Sequence, residues 1–192
     1  MCIRDSPSGA NISAKSFLLE ASNKKDLALI FAPEGSIFSG MFTQSIVRAS
    51  CVDICEERIK TTSGFVRAIL INSGQANACT GNLGIQHFQI ATAKIAELLG
   101  IKEEEVLMCS TGVIGVPIQI NDLVKNLPNL ISDLKGNNFA NAAEAILTTD
   151  LTLKKVSIET IIQGRKIKIA GFAKGSGTVS YTHLTLPTIY SV

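Results

Sequence analysis

The residues best suited to chemistry in this chain are small and polar rather than charged. Ser110-Thr111-Gly112 follows the apolar run Val106-Leu-Met-Cys109 and precedes Val-Ile-Gly115. A short buried strand that ends on a glycine leaves a backbone N–H free to point at an incoming acyl oxygen. One well-aimed donor on the charge that develops there is worth about 3 kcal/mol. The same residues would also make a plain strand-to-loop turn. Thr148-Thr149-Asp150 lies between a helical pattern and a strand pattern, where Thr and Asp commonly cap or terminate a helix. Lys174 stands among small residues after an apolar strand, and a lone lysine is ordinarily a solvated surface charge.

A second candidate is Ile69-Leu-Ile-Asn-Ser-Gly-Gln-Ala-Asn-Ala-Cys-Thr-Gly81. Its apolar start reads as a buried strand that stops at Asn72-Ser73-Gly74 and empties into a loop. Small residues there let backbone N–H groups approach a ligand, although Asn, Ser and Gly are also the commonest turn formers. Two lookalikes fall away. Ala173-Lys-Gly-Ser-Gly177 inverts the Gly-Lys-Ser order of a phosphate loop, and Gly175 and Gly177 lack the third glycine of a dinucleotide fingerprint. ATP and NAD are therefore not expected. Cys79 has no His or Asp near it in sequence to activate it as a nucleophile.

The elements that must position these residues can be read from periodicity. Residues 26–31 and 65–71 read as strands. Residues 85–99 place Phe88, Ala91, Ile95, Leu98 and Leu99 on one helical face, and Gly100 supplies the stop. Residues 106–109 read as a short buried strand. Residues 122–134 are helical with a break or kink at Pro128, which lacks an N–H. Residues 139–147 form a helix with Phe139, Ala142, Ala143 and Ile146 inward. Val156, Ile158 and Thr160 alternate, Gln163-Gly164 turns, and Ile167 and Ile169 alternate again, which is a β-hairpin. Strands mixed with helices predict an α/β class, a mixed β-sheet with flanking helices.

Composition narrows the function. The 192 residues are 46% apolar and 18% charged, with no Trp, so they can bury an aliphatic core. A net charge of +2 gives no field for nucleic acid, and Lys24-Lys25 and Lys154-Lys155 read as solvated faces. No apolar run approaches the roughly 18 residues of a membrane-spanning helix, and no secretory signal is visible. Cys2, Cys51, Cys55, Cys79 and Cys109 are an odd number without metal-ligand spacing, so no metal or disulfide framework is expected. Buried free thiols in a reducing cytoplasm fit them better.

Taken in order, six segments resemble one family. They are Asp26-Leu-Ala-Leu-Ile30 with Phe38-Ser-Gly-Met-Phe-Thr43, Asn72 to Gly81, Ser110-Thr-Gly-Val-Ile-Gly115, Glu144-Ala-Ile-Leu-Thr-Thr-Asp150 and Gly171-Phe-Ala-Lys-Gly-Ser-Gly177. The chain resembles the α chain of ornithine acetyltransferases, the bifunctional glutamate N-acetyltransferases of arginine biosynthesis, over roughly Ser13 to Gly177. The resemblance implies the N-terminal part of the fold shared with self-cleaving aminopeptidases. It assigns oxyanion stabilisation to Thr111 and Gly112, and contact with the amino-acid substrate to Thr149 and to Lys174, which would pair with a carboxylate. It implies N-acetylornithine and glutamate as substrates, no cofactor, acetyl-CoA as a co-substrate in some members, and a β-chain partner in an α2β2 heterotetramer. An apolar face should stand open where that β chain would pack. Alternative readings are a self-cleaving aminopeptidase of related fold and a non-catalytic small-molecule binding module.

The family's nucleophile is a threonine in an Ala-Thr-Met segment downstream of the Lys-Gly-Ser-Gly motif, freed by cleavage before it. This chain departs from the pattern at Thr178. Thr185 has the expected spacing from Lys174 but stands between Leu184 and Leu186, among Thr178, Thr182 and Thr188, so the role is not assigned to it. Met1-Cys-Ile-Arg-Asp-Ser6 and Val179 to Val192 resemble translated adapter sequence. The expected division is an adapter-like or disordered leader at 1–12, an α-chain domain at 13–177 and an adapter-like tail at 178–192. The chain as written is expected to be inactive.

Overall fold

The computed structural model describes residues 2–3, 11–15, 25–134 and 138–175, the first seven of these by their backbone. Most of the leader, the adapter-like tail and Thr178, Thr182, Thr185 and Thr188 lie outside them. Within them the architecture is mixed α/β, two sheets with flanking helices. Strands β2 (Asn11–Lys15), β3 (Leu27–Phe31), β4 (Ala68–Gln75) and β5 (Val106–Val113) form one sheet in the order β2-β3-β4-β5. A second sheet has the order β1-β7-β6, from β1 (Cys2–Ile3), β6 (Lys154–Ile162) and β7 (Arg165–Ala173). The helices are α1 (Ser50–Thr61), α2 (Gly81–Leu99), α3 (Ile120–Ser132) and α4 (Phe139–Ala145).

All pairings are antiparallel except β4 with β5. Parallel neighbours need a crossover, and α2 supplies it between β4 and β5. The central strands are buried on both faces, from Leu27 to Ile30 and from Ala68 to Ile71, which explains their unbroken apolar sequence. Phe88, Ala91 and Ile95 of α2 are fully buried, and Gly100 ends the helix in the left-handed conformation with φ 66°. Across α1 and α2, the Arg58 guanidinium stacks 4.9 Å from the centroid of the Phe88 ring and donates to the Glu103 and Val106 carbonyls. That contact fixes where β5 begins.

Several expectations need correction. Asn72 to Gln75 are strand, not loop, because β5 continues beside them through Val113 and carries the parallel ladder on. Thr111 and Gly112 accordingly lie inside β5 rather than beyond its end. Helix α3 runs through Pro128 without a break, held by the fully buried Leu123, Leu127 and Leu130. Cys51 and Cys55 are buried free thiols, but Cys79 and Cys109 are exposed. Burial pushes the Cys55 thiol up to about 11, against the hydrogen bond it donates to the Met108 carbonyl at 3.3 Å. Of the two lysine pairs read as solvated, Lys25 reaches Asn141 and Glu144, and Lys154 is engaged by Asp150. The Gln163-Gly164 hairpin turn has φ 50° and 74°, the left-handed pair that a two-residue turn between twisted strands requires.

Candidate functional site

The site forms at the carboxyl ends of the two parallel strands, where open α/β sheets bind ligands. Ser73 pairs with Thr111 and Gly74 with Gly112. At Gly112, φ is 136° and a Cβ would lie 2.2 Å from the Gly74 carbonyl oxygen, so only glycine lets the strands approach this closely. Beyond the ladder the chains stay together: the Ala76 N–H donates to the Val113 carbonyl and the Gly115 N–H to the Ala78 carbonyl, each at 2.9 Å. Ser73 Oγ donates to the Ala145 carbonyl at 2.6 Å, which ties the last turn of α4 to the end of β4. Phe139 packs on Phe172, with centroids 5.3 Å apart, and so joins α4 to β7.

These ties bring together three segments far apart in sequence. Lys174 Nζ donates to Thr111 Oγ1 at 2.8 Å and to Thr148 Oγ1 at 2.7 Å. The ammonium is half-buried between two hydroxyls, and one of these belongs to the residue expected to face an acyl oxygen. Gly112 is exposed beside it. Thr149, the threonine expected to meet substrate, is exposed next to the Thr148 that Lys174 touches. Three of the four residues singled out from sequence, Thr111, Gly112 and Lys174, therefore converge, and Thr149 adjoins them.

Two further residues belong to this neighbourhood. The Asp150 side chain is fully buried; its Oδ1 accepts the Gly175 N–H at 2.8 Å and the Lys154 ammonium at 2.5 Å. Lys154 also donates to the Gly175 carbonyl at 3.0 Å. Burial pushes the Asp150 carboxyl up. The hydrogen bonds from Lys154 and Gly175, with the charges of Lys154 and Lys174, more than offset this and hold it below the usual aspartate value. Sequence gave no sign of this pair, because Asp at a helix end and Lys in a polar strand are both commonplace. Ser110 Oγ, Asn72 Oδ1 and Gln75 Oε1 are buried near the same strand ends without a hydrogen-bond partner among the described residues. A cation flanked by hydroxyls suits a carboxylate, and the glycine-lined strand end suits an oxygen that gains charge. Among the described residues, no group of three or more His, Cys, Asp or Glu is placed to hold a metal, and no helix is long and apolar enough to cross a membrane.

The chain is similar to known proteins in sequence and in fold. The family model described as ArgJ family matches residues 10–188. The arginine biosynthesis bifunctional protein ArgJ of Prochlorococcus marinus subsp. pastoris is 68% identical over 175 residues, 91% of this chain and 44% of that protein. The protein of the same name from Caldanaerobacter subterraneus is 43% identical over 88% of this chain and 41% of its own length. The chain thus spans less than half the length of these curated relatives. A crystal structure of ArgJ from Bacillus halodurans superposes with a TM-score of 0.80 at 29% identity, over 93% of this chain and 96% of that one. That of ornithine acetyltransferase from Mycobacterium tuberculosis, complexed with ornithine, gives 0.82 at 28% identity over 93% and 94%.

Proposed function

The chain belongs to the ArgJ family, and from that premise we propose that it is the α-chain part of a glutamate N-acetyltransferase. The whole enzyme would move an acetyl group from N-acetylornithine to glutamate through an acyl-threonine. The observation that carries this reading is the Lys174 ammonium seated between Thr111 and Thr148 beside Gly112. The nucleophile would be a threonine beyond Gly177, its α-amino group freed by cleavage to act as base. Its oxygen attacks the acetyl carbonyl, Thr111 and Gly112 hold the resulting oxyanion, and ornithine leaves with a proton on its amine. The glutamate amine then attacks the ester, loses a proton, and releases N-acetylglutamate and the free hydroxyl. Lys174 would pair with the amino-acid carboxylate and Thr149 would hold the same substrate. The reading needs no cofactor; acetyl-CoA would be an alternative donor.

The size of a solved family chain supports an α chain that stands as a separate polypeptide. The 175 matched residues cover 44% of a curated relative, whereas 93% of this chain covers 96% of a crystallised one, so polypeptides of about this size occur among the solved structures. An open apolar face supports a β-chain partner, and α2β2 would be the assembly. Val156, Ile158 and Ile162 are 61%, 52% and 50% exposed on one face of the β6–β7 hairpin, beside Ile167 and Ile169. On this reading the α-chain part by itself neither cleaves nor turns over without a β chain. The test joins residues up to Gly177 to the downstream sequence of the Prochlorococcus relative and assays acetyl transfer from N-acetylornithine to glutamate against peptide hydrolysis. Transfer is expected. Hydrolysis without transfer would assign the fold to an aminopeptidase, and tight ligand binding with neither activity would make it a binding module.

A further inference from the structure

We infer that Asp150 is a positioning residue: with Lys154 it clamps the backbone N–H and carbonyl of Gly175 and so aims the Lys174 ammonium at Thr111 and Thr148. The inference rests on the substrate reading of Lys174 and adds what sets that lysine's direction.

The geometry is over-determined at one residue. Gly175 gives its N–H to Asp150 Oδ1 and takes a hydrogen bond on its carbonyl from Lys154, which is itself held by the same Oδ1. Three groups thereby close a ring around the residue that follows Lys174. Gly175 has φ 144°, a conformation a side chain rarely adopts, so the chain turns there as the clamp requires. Lysine has a long, flexible stem, and an ammonium that must meet two hydroxyls at 2.7 and 2.8 Å benefits from a fixed backbone origin. Asp150 is anchored in turn, because Ser73 of β4 holds the end of α4 only a few residues before it. Its Oδ2 is buried without a partner among the described residues, so the carboxylate is not there to satisfy itself. A buried acid left with an unfilled acceptor is costly, and the return on that cost is the fixed turn.

The joined enzyme described above tests this with Lys174→Ala, Asp150→Asn and the double variant. Lys174→Ala should raise the KM for the amino-acid substrates about 30-fold, as loss of a charge-assisted hydrogen bond does. Asp150→Asn should raise it about fivefold with kcat within about twofold, and in the Lys174→Ala background it should change KM by less than about 1.5-fold. Lys154→Met should behave like Asp150→Asn, and it carries the test if Asp150→Asn does not fold. In the 192-residue chain, the Gly175 amide proton should shift as Asp150 titrates, below the usual carboxylate range, and that titration should vanish in Asp150→Asn. If Lys174→Ala leaves KM unchanged, the substrate reading fails. If Lys174→Ala acts but Asp150→Asn is silent, or acts equally with and without Lys174, the positioning role is overturned.

Discussion

Gly112 is where a single atom decides most. Its missing Cβ allows β4 and β5 to close against each other at the level of Thr111, which sets the distance from that hydroxyl to Lys174. An added methyl would meet the Gly74 carbonyl carbon at 2.3 Å and the Gln75 nitrogen at 2.8 Å, both backbone atoms that cannot swing aside. Gly112→Ala should therefore lower unfolding free energy by about 2 kcal/mol or more in urea denaturation, through strand separation and a disfavoured φ. An unchanged denaturation midpoint would mean that the close approach is not maintained in solution. His87 offers a second test. It is buried on α2, and burial holds its imidazole below the ordinary histidine value. The unfolded chain then takes up the proton first, so the stability this histidine contributes is present above about pH 6.5 and is lost as pH falls below it. Melting curves between about pH 7 and about pH 5 should show a steeper loss in wild type than in His87→Gln.

At the scale of elements, α3 sets local propensity against packing. Pro128 removes the N–H that would bond the Val124 carbonyl, yet Leu123, Leu127 and Leu130 hold the helix together by full burial. Pro128→Ala should restore that bond and raise stability by about 1 kcal/mol, read by thermal or urea unfolding; a loss would show that the proline's shape is part of the packing. The same competition explains what was legible beforehand. Helix α2, with its long apolar face and Gly100 stop, and the β6–β7 hairpin, with its Gln163-Gly164 turn, announce themselves because pattern and tertiary role agree. The ends of β4 and β5 did not, since Asn72 to Gln75 and Ser110 to Val113 have turn-forming composition and are strand only because each is the other's neighbour. Helix α1 was not anticipated either. Its buried face is built on Cys51 and Cys55, and charged residues fill half of the rest, with Arg48 bridging to Asp53 and Glu56. Of the candidate site, the residue types could be read in order from the motifs. The clamp of Asp150 and Lys154 on Gly175 could not, because it joins a loop, a strand start and a strand end through backbone groups that carry no sequence signature.

For the whole molecule, the strand ends and Lys174 are one half of a catalytic site under the proposed function. The chain holds a cation, hydroxyls and a glycine-lined strand end in register, and it leaves one face of the hairpin sheet apolar and open. The curated relatives are more than twice as long as the part matched here, so the nucleophile and the remaining substrate contacts are sought in the rest of the polypeptide. The most direct test of the account is an intact-mass measurement on the joined protein after mixing with N-acetylornithine and no glutamate. The account predicts cleavage into two chains, with the mass of one acetyl group added to the downstream chain at its new N-terminal threonine and removed when glutamate is supplied. It also predicts that the adduct forms far more slowly in Thr111→Ala. Cleavage and transfer with no acetyl adduct at any time, or an adduct insensitive to Thr111, would contradict it.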